Sequence, residues 1–160
     1  MQSVAPGQPA TPLVEAAPVP QPNPERSVVI HAYSAEQVIL GGSSSPIGIF
    51  LPEVPRPHAA TQLYVITGSP EAPPSFSGDK EAAKHLVKIL HKGSNCPGPF
   101  QNGAWSGQCF DIPKGASLAQ PQRLGTFRVG PRSFQLVADP RVRGVDTLTV
   151  IVSEVSRMAN

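Results

Sequence analysis

Short apolar runs, each ended by Gly, Pro, Ser or Asp, limit what this chain can fold into. The runs are rich in β-branched and aromatic residues, which favour strands over helices. In the last run, Leu148, Val150 and Val152 alternate with polar residues, which is the period of a strand with one buried face. The runs are SVVIHAY (27–33), EQVILGG (36–42), IGIFLPEV (47–54), TQLYVITG (61–68), QCFDIP (108–113), GTFRVG (125–130), SFQLVAD (133–139) and DTLTVIVSEV (146–155). Strands at this spacing predict a mainly β protein, either an antiparallel β-sandwich or a jelly roll.

The N-terminal segment has a different composition from the rest of the chain. Residues 1–24 contain seven of the 20 prolines and a single charged residue, Glu15. Each proline removes an N–H group and restricts the preceding residue, so the segment cannot be helical and is expected to be extended. We therefore divide the 160-residue chain into an extended Pro-rich arm over residues 1–26 and one β domain over residues 27–157.

Two interpretations of this arm remain open. It is either a solvated linker or a segment that docks on a neighbouring subunit. An arm that is extended before it binds loses less entropy on docking, and its low charge does not favour a purely solvated tail. In the docking interpretation, its apolar anchors are Val4, Leu13, Val14 and Val19.

One segment breaks the β pattern and predicts an inserted helix over about residues 79–92. Asp79 and Glu81 lie in its first turn, where the helix dipole favours negative charge, and Gly93 provides its C-terminal stop. Its expected buried stripe consists of Ala82, Leu86, Ile89 and Leu90, with Ala83 and Val87 beside it.

Four lysines recur every four residues along this helix and form a basic ridge, which consists of Lys80, Lys84, Lys88 and Lys92. The ridge is either a solvated helix face or a contact surface for a polyanion. The helix contains no arginine and no aromatic residue, so it does not indicate the reading of nucleic-acid bases. The net charge of +2 is also too small to indicate a nucleic-acid partner.

The only two cysteines, Cys96 and Cys109, end the segment CPGPFQNGAWSGQC. A two-residue turn at Asn102 and Gly103 would place them opposite each other in a hairpin. A cross-loop disulfide and unpaired structural thiols are both open interpretations. The spacing fits neither a C-x-x-C redox motif nor a zinc knuckle.

The same hairpin register would place Phe100 opposite Trp105. However, Pro97 and Pro99 cannot donate ladder hydrogen bonds, which favours an irregular hairpin or a wide projecting loop. Large aromatic residues on such a loop are natural interface anchors, so Phe100 and Trp105 are candidate contact residues. Ordinary packing within the loop is the alternative.

Motifs that would indicate catalysis are absent from the sequence. Ser77 and Lys80 match the pattern S-x-x-K, but the companion motifs S-D-N and K-T-G are missing. No G-x-S-x-G, H-E-x-x-H or phosphate-loop motif occurs. We therefore expect no catalytic residues, no cofactor, no metal site and no enzymatic activity.

Strands combined with a docking arm are typical of a protein that assembles. The expected architecture is similar, at the level of the fold class, to virion proteins of the capsid cement, decoration or tail-attachment type. We expect a homo-oligomer within a larger assembly, made in the cytoplasm without a secretion signal and without a membrane span. The alternative is a β module that binds carbohydrate or a polyanion through Trp105 or the lysine ridge.

Overall fold

The computed structural model describes residues 25–40, 46–56, 59–69, 73–91, 96–113, 120–139 and 146–155. In this part of the chain the protein is mainly β, with two antiparallel sheets and one short helix. The prediction of a mainly β antiparallel fold with one helix is confirmed. Among the predicted site residues, Val4, Leu13, Val14, Val19 and Lys92 lie outside the described residues.

The strands divide into two sheets in a simple order. The elements are β1 (Glu25–His31), β2 (Ser34–Ile39), β3 (Pro46–Leu51), β4 (Thr61–Gly68), α1 (Lys80–His91), β5 (Gly98–Asn102), β6 (Trp105–Ile112), β7 (Gln122–Val129), β8 (Arg132–Asp139) and β9 (Thr147–Glu154). One sheet has the order β1-β9-β8-β7 and the other has the order β2-β3-β4-β6-β5. Within the described residues, β1 and β2 are therefore the outer strands at one side of their sheets.

The two sheets share one apolar core between them. Alternate residues of β3 and β9 point into it, including Ile47, Ile49 and Leu51, all of which are buried. Leu148, Val150 and Val152 also face this core, as their alternation with polar residues predicts. The burial of alternate residues therefore fixes the register of the strands, because a shift by one residue would turn these side chains to the other face.

Helix α1 covers the opposite face of the five-stranded sheet. Phe50, Tyr64 and Ile66 alternate with residues of the first core and pack in a second core with Leu86 and Leu90 of the helix. Both faces of β3 and β4 are thus buried, which accounts for their nearly continuous apolar sequence. Sheets whose two faces are both covered characteristically contain such runs.

Helix α1 begins where the sequence predicts. The Asp79 carboxylate accepts hydrogen bonds from the backbone N–H groups of Glu81 and Ala82, at 3.0 and 3.1 Å. The buried stripe matches the expected one only at Leu86 and Leu90. Ala83 is buried together with Leu86 and Leu90, whereas Ala82 and Ile89 are only half-buried.

The β5–β6 hairpin corrects the expected turn and the expected loop. Asn102 pairs with Trp105 and Phe100 pairs with Gly107, so the turn residues are Gly103 and Ala104. The prediction that Phe100 faces Trp105 is therefore wrong. Asn102 is held as a strand residue because its side-chain amide donates to the backbone carbonyl of Ile89 in α1, at 3.0 Å.

The two prolines of this hairpin are tolerated because of where the strand lies. β5 is the outer strand of its sheet within the described residues, and Pro99 pairs with Gln108 in the ladder. An outer strand can accommodate proline, since one side of the strand needs no ladder donor. Residues 98–107 are therefore paired strands and a tight turn instead of a wide projecting loop.

Candidate functional site

A cleft of about 750 Å³ lies where α1 meets the turn between β1 and β2. We call it the helix cleft. Its charged wall contains Lys80, Lys84 and Lys88, which are three of the four predicted ridge lysines, and its floor includes Ala83 and Val87. The structure thus brings the described part of the ridge to the rim of one concave surface.

Tyr33 forms the end of the helix cleft nearest the start of α1. Its backbone φ is 62°, in the left-handed region that bulky residues rarely adopt. The turn is held by two hydrogen bonds, from the Tyr33 N–H to the Leu51 carbonyl and from the Ala32 N–H to the Asp146 carbonyl, each 2.8 Å long. The Tyr33 ring faces Lys80, whose Nζ lies 5.1 Å from the ring centroid, so the ring and the ammonium group attract each other.

The charges around the helix cleft do not cancel. Glu81 pairs with Lys84 at 3.7 Å, and Glu53 pairs with Arg56 at 3.5 Å. Among the described residues, neither Lys80 nor Lys88 has a carboxylate within 4.0 Å. The two acidic residues of the cleft are thus already paired, and the remaining charge on its surface is positive.

A second concave feature lies between the outer strands of the two sheets. We call it the edge groove, and its volume is about 210 Å³. It is lined by Glu25, Arg26, Ile39, Leu40, Arg132, Phe134 and Val152. Ile39 is 59% exposed there, although its neighbours Val38 and Leu40 are buried.

An ion pair forms one wall of the edge groove. Arg132 donates to both carboxylate oxygens of Glu154, from Nε at 3.0 Å and from an Nη nitrogen at 2.8 Å. These hydrogen bonds raise the pKa of the Arg132 guanidinium above its ordinary value, although desolvation acts in the opposite direction. The guanidinium also lies 5.0 Å from the centroid of the Phe134 ring. The planar group is thereby fixed in position by a two-point contact and by an aromatic face.

The two predicted aromatic contact residues are placed differently from each other. Phe100 is only 3% exposed and makes an edge contact with Tyr64, with 5.7 Å between ring centroids. It therefore belongs to the core beneath α1, and its side chain is not an exposed anchor. Trp105 is half-buried and packs against the same core.

Cys96 and Cys109 are joined by a disulfide, with 5.3 Å between their Cα atoms. Cys109 is fully buried in the core beneath α1, and its ladder partner is Gly98. Cys96 thus reaches its partner from just before β5, and not from the directly opposite position that the expected register gave it. The bond ties the segment that follows the helix to β6, the strand next to the outer strand β5.

The described residues contain no group of three or more His, Cys, Asp and Glu side chains arranged to hold a metal ion. In the same part of the chain, no helix is both long and apolar enough to cross a membrane. Comparisons with protein-family models, curated proteins and solved structures found no match to this chain. A functional proposal must therefore rest on the helix cleft, the edge groove and the residues around them.

Sequence reasoning identified the ridge lysines but not the edge groove. The alternation in EQVIL contained one signal for it, because Val38 and Leu40 on one face leave Ile39 on the other. The pairing of Arg132 with Glu154 depends on the β8–β9 register and has no local signal.

Proposed function

We propose that this chain is a structural subunit of a multi-copy assembly, and that the part of its Pro-rich arm that precedes β1 docks on a neighbouring copy. One observation carries this proposal. The exposed large hydrophobic residues of the described chain are Val29, Ile39 and Val155. They lie on β1, on β2 and directly after β9, at the side of the fold where residues 1–24 join β1. Two of these three residues lie on outer strands, whose unpaired edges can take up another chain.

The edge groove is the docking place that we propose for the arm. Glu25 and Arg26, the first residues of β1, line one side of this groove. Ile39 offers exposed apolar surface there, which suits an extended Pro-rich segment with few charges. Val4, Leu13, Val14 and Val19 would supply its apolar contacts.

The class of assembly that we propose is a virion or a similar large particle, with the chain as a cement, decoration or tail-attachment subunit. Of the two expected architectures, the strand order favours the sandwich over the jelly roll. Within the described residues the chain changes sheets after β1 and after β6, and the strands between these points follow meanders and hairpins. A rigid two-sheet domain with a docking arm suits a subunit that reinforces a particle.

The disulfide supports a final location in oxidising surroundings. Structural disulfides persist in secreted proteins and on virion and cell surfaces, and they are rare in the reducing cytosol. The Cys96–Cys109 bond closes a short loop on a buried strand, which is a structural arrangement. Synthesis in the cytoplasm followed by incorporation into an external particle is consistent with this bond.

The proposal is tested by light scattering of the purified full chain and of a variant that lacks residues 2–24. We expect an oligomer for the full chain and a folded monomer for the shortened one. A full chain that stays monomeric as its concentration is raised would rule out self-assembly.

A substitution in the groove tests the docking place separately. Ile39→Asp puts a charge into the edge groove, and Thr126→Asp puts the same charge on an exposed position of β7 as a control. We expect only Ile39→Asp to weaken the oligomer. Equal oligomer mass for both variants would reject the groove while leaving assembly itself intact.

A further inference from the structure

The helix cleft has a regular charge spacing that the proposed assembly does not use. Lys80, Lys84 and Lys88 are separated by four residues each along α1 and line the same cleft. With a rise of about 1.5 Å per residue, successive ammonium groups are offset by about 6 Å along the helix axis. A linear ligand with negative charges at a similar interval can therefore contact all three lysines at once.

The surface beside the lysines is suited to a ligand with an apolar or ring-shaped body. The half-buried Val87 provides apolar surface over the buried Ala83, and Pro52 and Tyr33 lie at the border with the sheet. The volume of the cleft is within the range of sites that bind small molecules or short polymer segments. Its shape thus adds contact area to what a flat basic helix face would offer.

Tyr33 holds one of these lysines in place. The contact between its ring and the Lys80 ammonium group orients the side chain over the cleft, while Tyr33 itself adopts a left-handed backbone conformation. Bulky residues persist in that conformation only where their surroundings require it, and such positions are concentrated at functional sites. A lysine oriented in advance loses less entropy when it binds an anion.

We propose that the helix cleft binds a linear acidic polysaccharide, with carboxylate or sulfate groups contacting Lys80, Lys84 and Lys88 in turn. Among the described residues that line the cleft there is no arginine, whose planar group binds carboxylate and phosphate alike, so the lysine ammonium groups supply the charged contacts. In the described part of the chain, the rings of the cleft are those of Tyr33, which already faces Lys80, and of His85, so the cleft offers at most two rings for the stacking of bases. The disulfide also indicates the oxidising surroundings of virion and cell surfaces, where such polysaccharides are met.

The test uses heparin as the probe and the full chain at low salt. The double variant Lys80→Ala with Lys88→Ala removes the two lysines that have no acidic partner among the described residues. The control variant Arg123→Ala with Arg128→Ala removes the same charge from exposed positions on β7, away from the cleft. Both variants alter exposed side chains, so circular dichroism and thermal melting are expected to match the unmodified chain.

We expect the double lysine variant to bind heparin about tenfold more weakly, at roughly threefold for each lost surface charge contact. The arginine control should bind like the unmodified chain. Equal losses in both variants, or no heparin binding by the unmodified chain, would overturn the proposal. Tighter binding of single-stranded DNA with the same number of charges would also overturn it, since the cleft would then prefer a nucleic acid.

Discussion

The two faces of the five-stranded sheet are packed in different ways, although the same strands form both. The face towards the other sheet is mainly aliphatic and includes Ile49, Leu63 and Val65. The face towards α1 contains the aromatic rings of Tyr64 and Phe100 together with aliphatic residues and the disulfide-bonded Cys109. We call these the sheet face and the helix face.

The two faces show that the layer covering a sheet face determines where a site can form on it. A sheet that lies on a sheet buries a broad area with interdigitating side chains. A single helix of 12 residues covers only a strip, so aromatic rings and a disulfide complete the helix face. The helix cleft opens where the cover ends, beside Ala83 and Val87. We therefore expect functional clefts at the borders of α1, which covers less of the sheet than the opposite sheet does.

The largest expected effect comes from Gly107, which lies on the helix face opposite Phe100. A Cβ atom at this position would lie 2.0 Å from the carbonyl oxygen of Val65 and 2.8 Å from the Phe100 ring. The backbone of β4 cannot move away without losing ladder hydrogen bonds. We therefore expect Gly107→Ala to lower the free energy of unfolding by more than about 4 kcal/mol, measured by urea denaturation.

The matched control for this prediction is Gly103, in the turn of the same hairpin. Its φ is 65°, and no atom lies within 4 Å of a Cβ built there. Gly103→Ala should therefore cost only the conformational strain, about 1 kcal/mol. Similar losses for both variants would show that the helix face at Gly107 is loosely packed, contrary to the structure.

A pair of leucines compares the two faces directly. Leu136 lies between the sheets, whereas Leu86 lies on α1 and packs on the helix face. We expect Leu136→Ala to cost about 3.5 kcal/mol and Leu86→Ala about 2.5 kcal/mol, because a site covered by a single helix can relax or admit water more easily. Urea denaturation of both variants measures the difference. A larger loss for Leu86→Ala would reverse the ranking of the two faces.

The sheet face could be predicted from the sequence, because its signals are local. The run TQLYVITG was predicted as a strand over residues 61–68, and it forms Thr61–Gly68. Alternation in the last run also placed Leu148, Val150 and Val152 on one buried side. In both cases, strand propensity, alternation and turn residues indicate the same structure.

The helix face was harder to predict, because it depends on contacts between distant residues. Strand β5 was expected only as part of an irregular hairpin, with a wide loop as the alternative, since Pro97 and Pro99 locally disfavour a ladder and its outer position was not known. The hairpin register was displaced because the Asn102 amide binds the carbonyl of Ile89, a contact between two elements. In the candidate sites, the lysine spacing was readable along the helix, whereas the orientation of Tyr33 over the cleft required the folded chain.

The disulfide tests how much the helix face depends on a covalent link. The bond joins residues that are 13 positions apart, for which loop closure contributes roughly 3 kcal/mol to the free energy of unfolding. Reduction should lower that free energy by about this amount and add 2 Da to the mass of one intact chain, since two S–H bonds form. Denaturation with and without reductant, together with mass spectrometry, measures both effects.

The same treatment should not loosen the sheet face. Hydrogen exchange of the amides in β8 and β9 is expected to stay slower than that of α1 in the reduced protein. An unchanged free energy of unfolding after complete reduction would show that noncovalent packing alone holds Cys109 and the residues before β5 in place.

The smallest expected effect concerns Tyr64, whose side chain is fully buried in the helix face. Its hydroxyl group donates one long hydrogen bond to the Gln62 side-chain oxygen, at 3.3 Å. Burial raises the pKa of the Tyr64 phenol above its ordinary value of 10.0. At neutral pH, Tyr64→Phe should therefore change the free energy of unfolding by no more than about 1 kcal/mol.

The pH dependence of stability tests whether the Tyr64 phenol is buried. Below pH 10 the phenol keeps its proton in both the folded and the unfolded chain, so its contribution is constant. Above pH 10 the unfolded chain releases the proton more readily than the folded chain, and stability falls by up to about 1.4 kcal/mol per pH unit. Tyr64→Phe lacks this loss, so the difference between the two proteins should shift in favour of the variant between pH 8 and pH 11. A constant difference in the free energy of unfolding over that range would mean that water reaches the phenol. Tyr64 would then not be buried in the helix face.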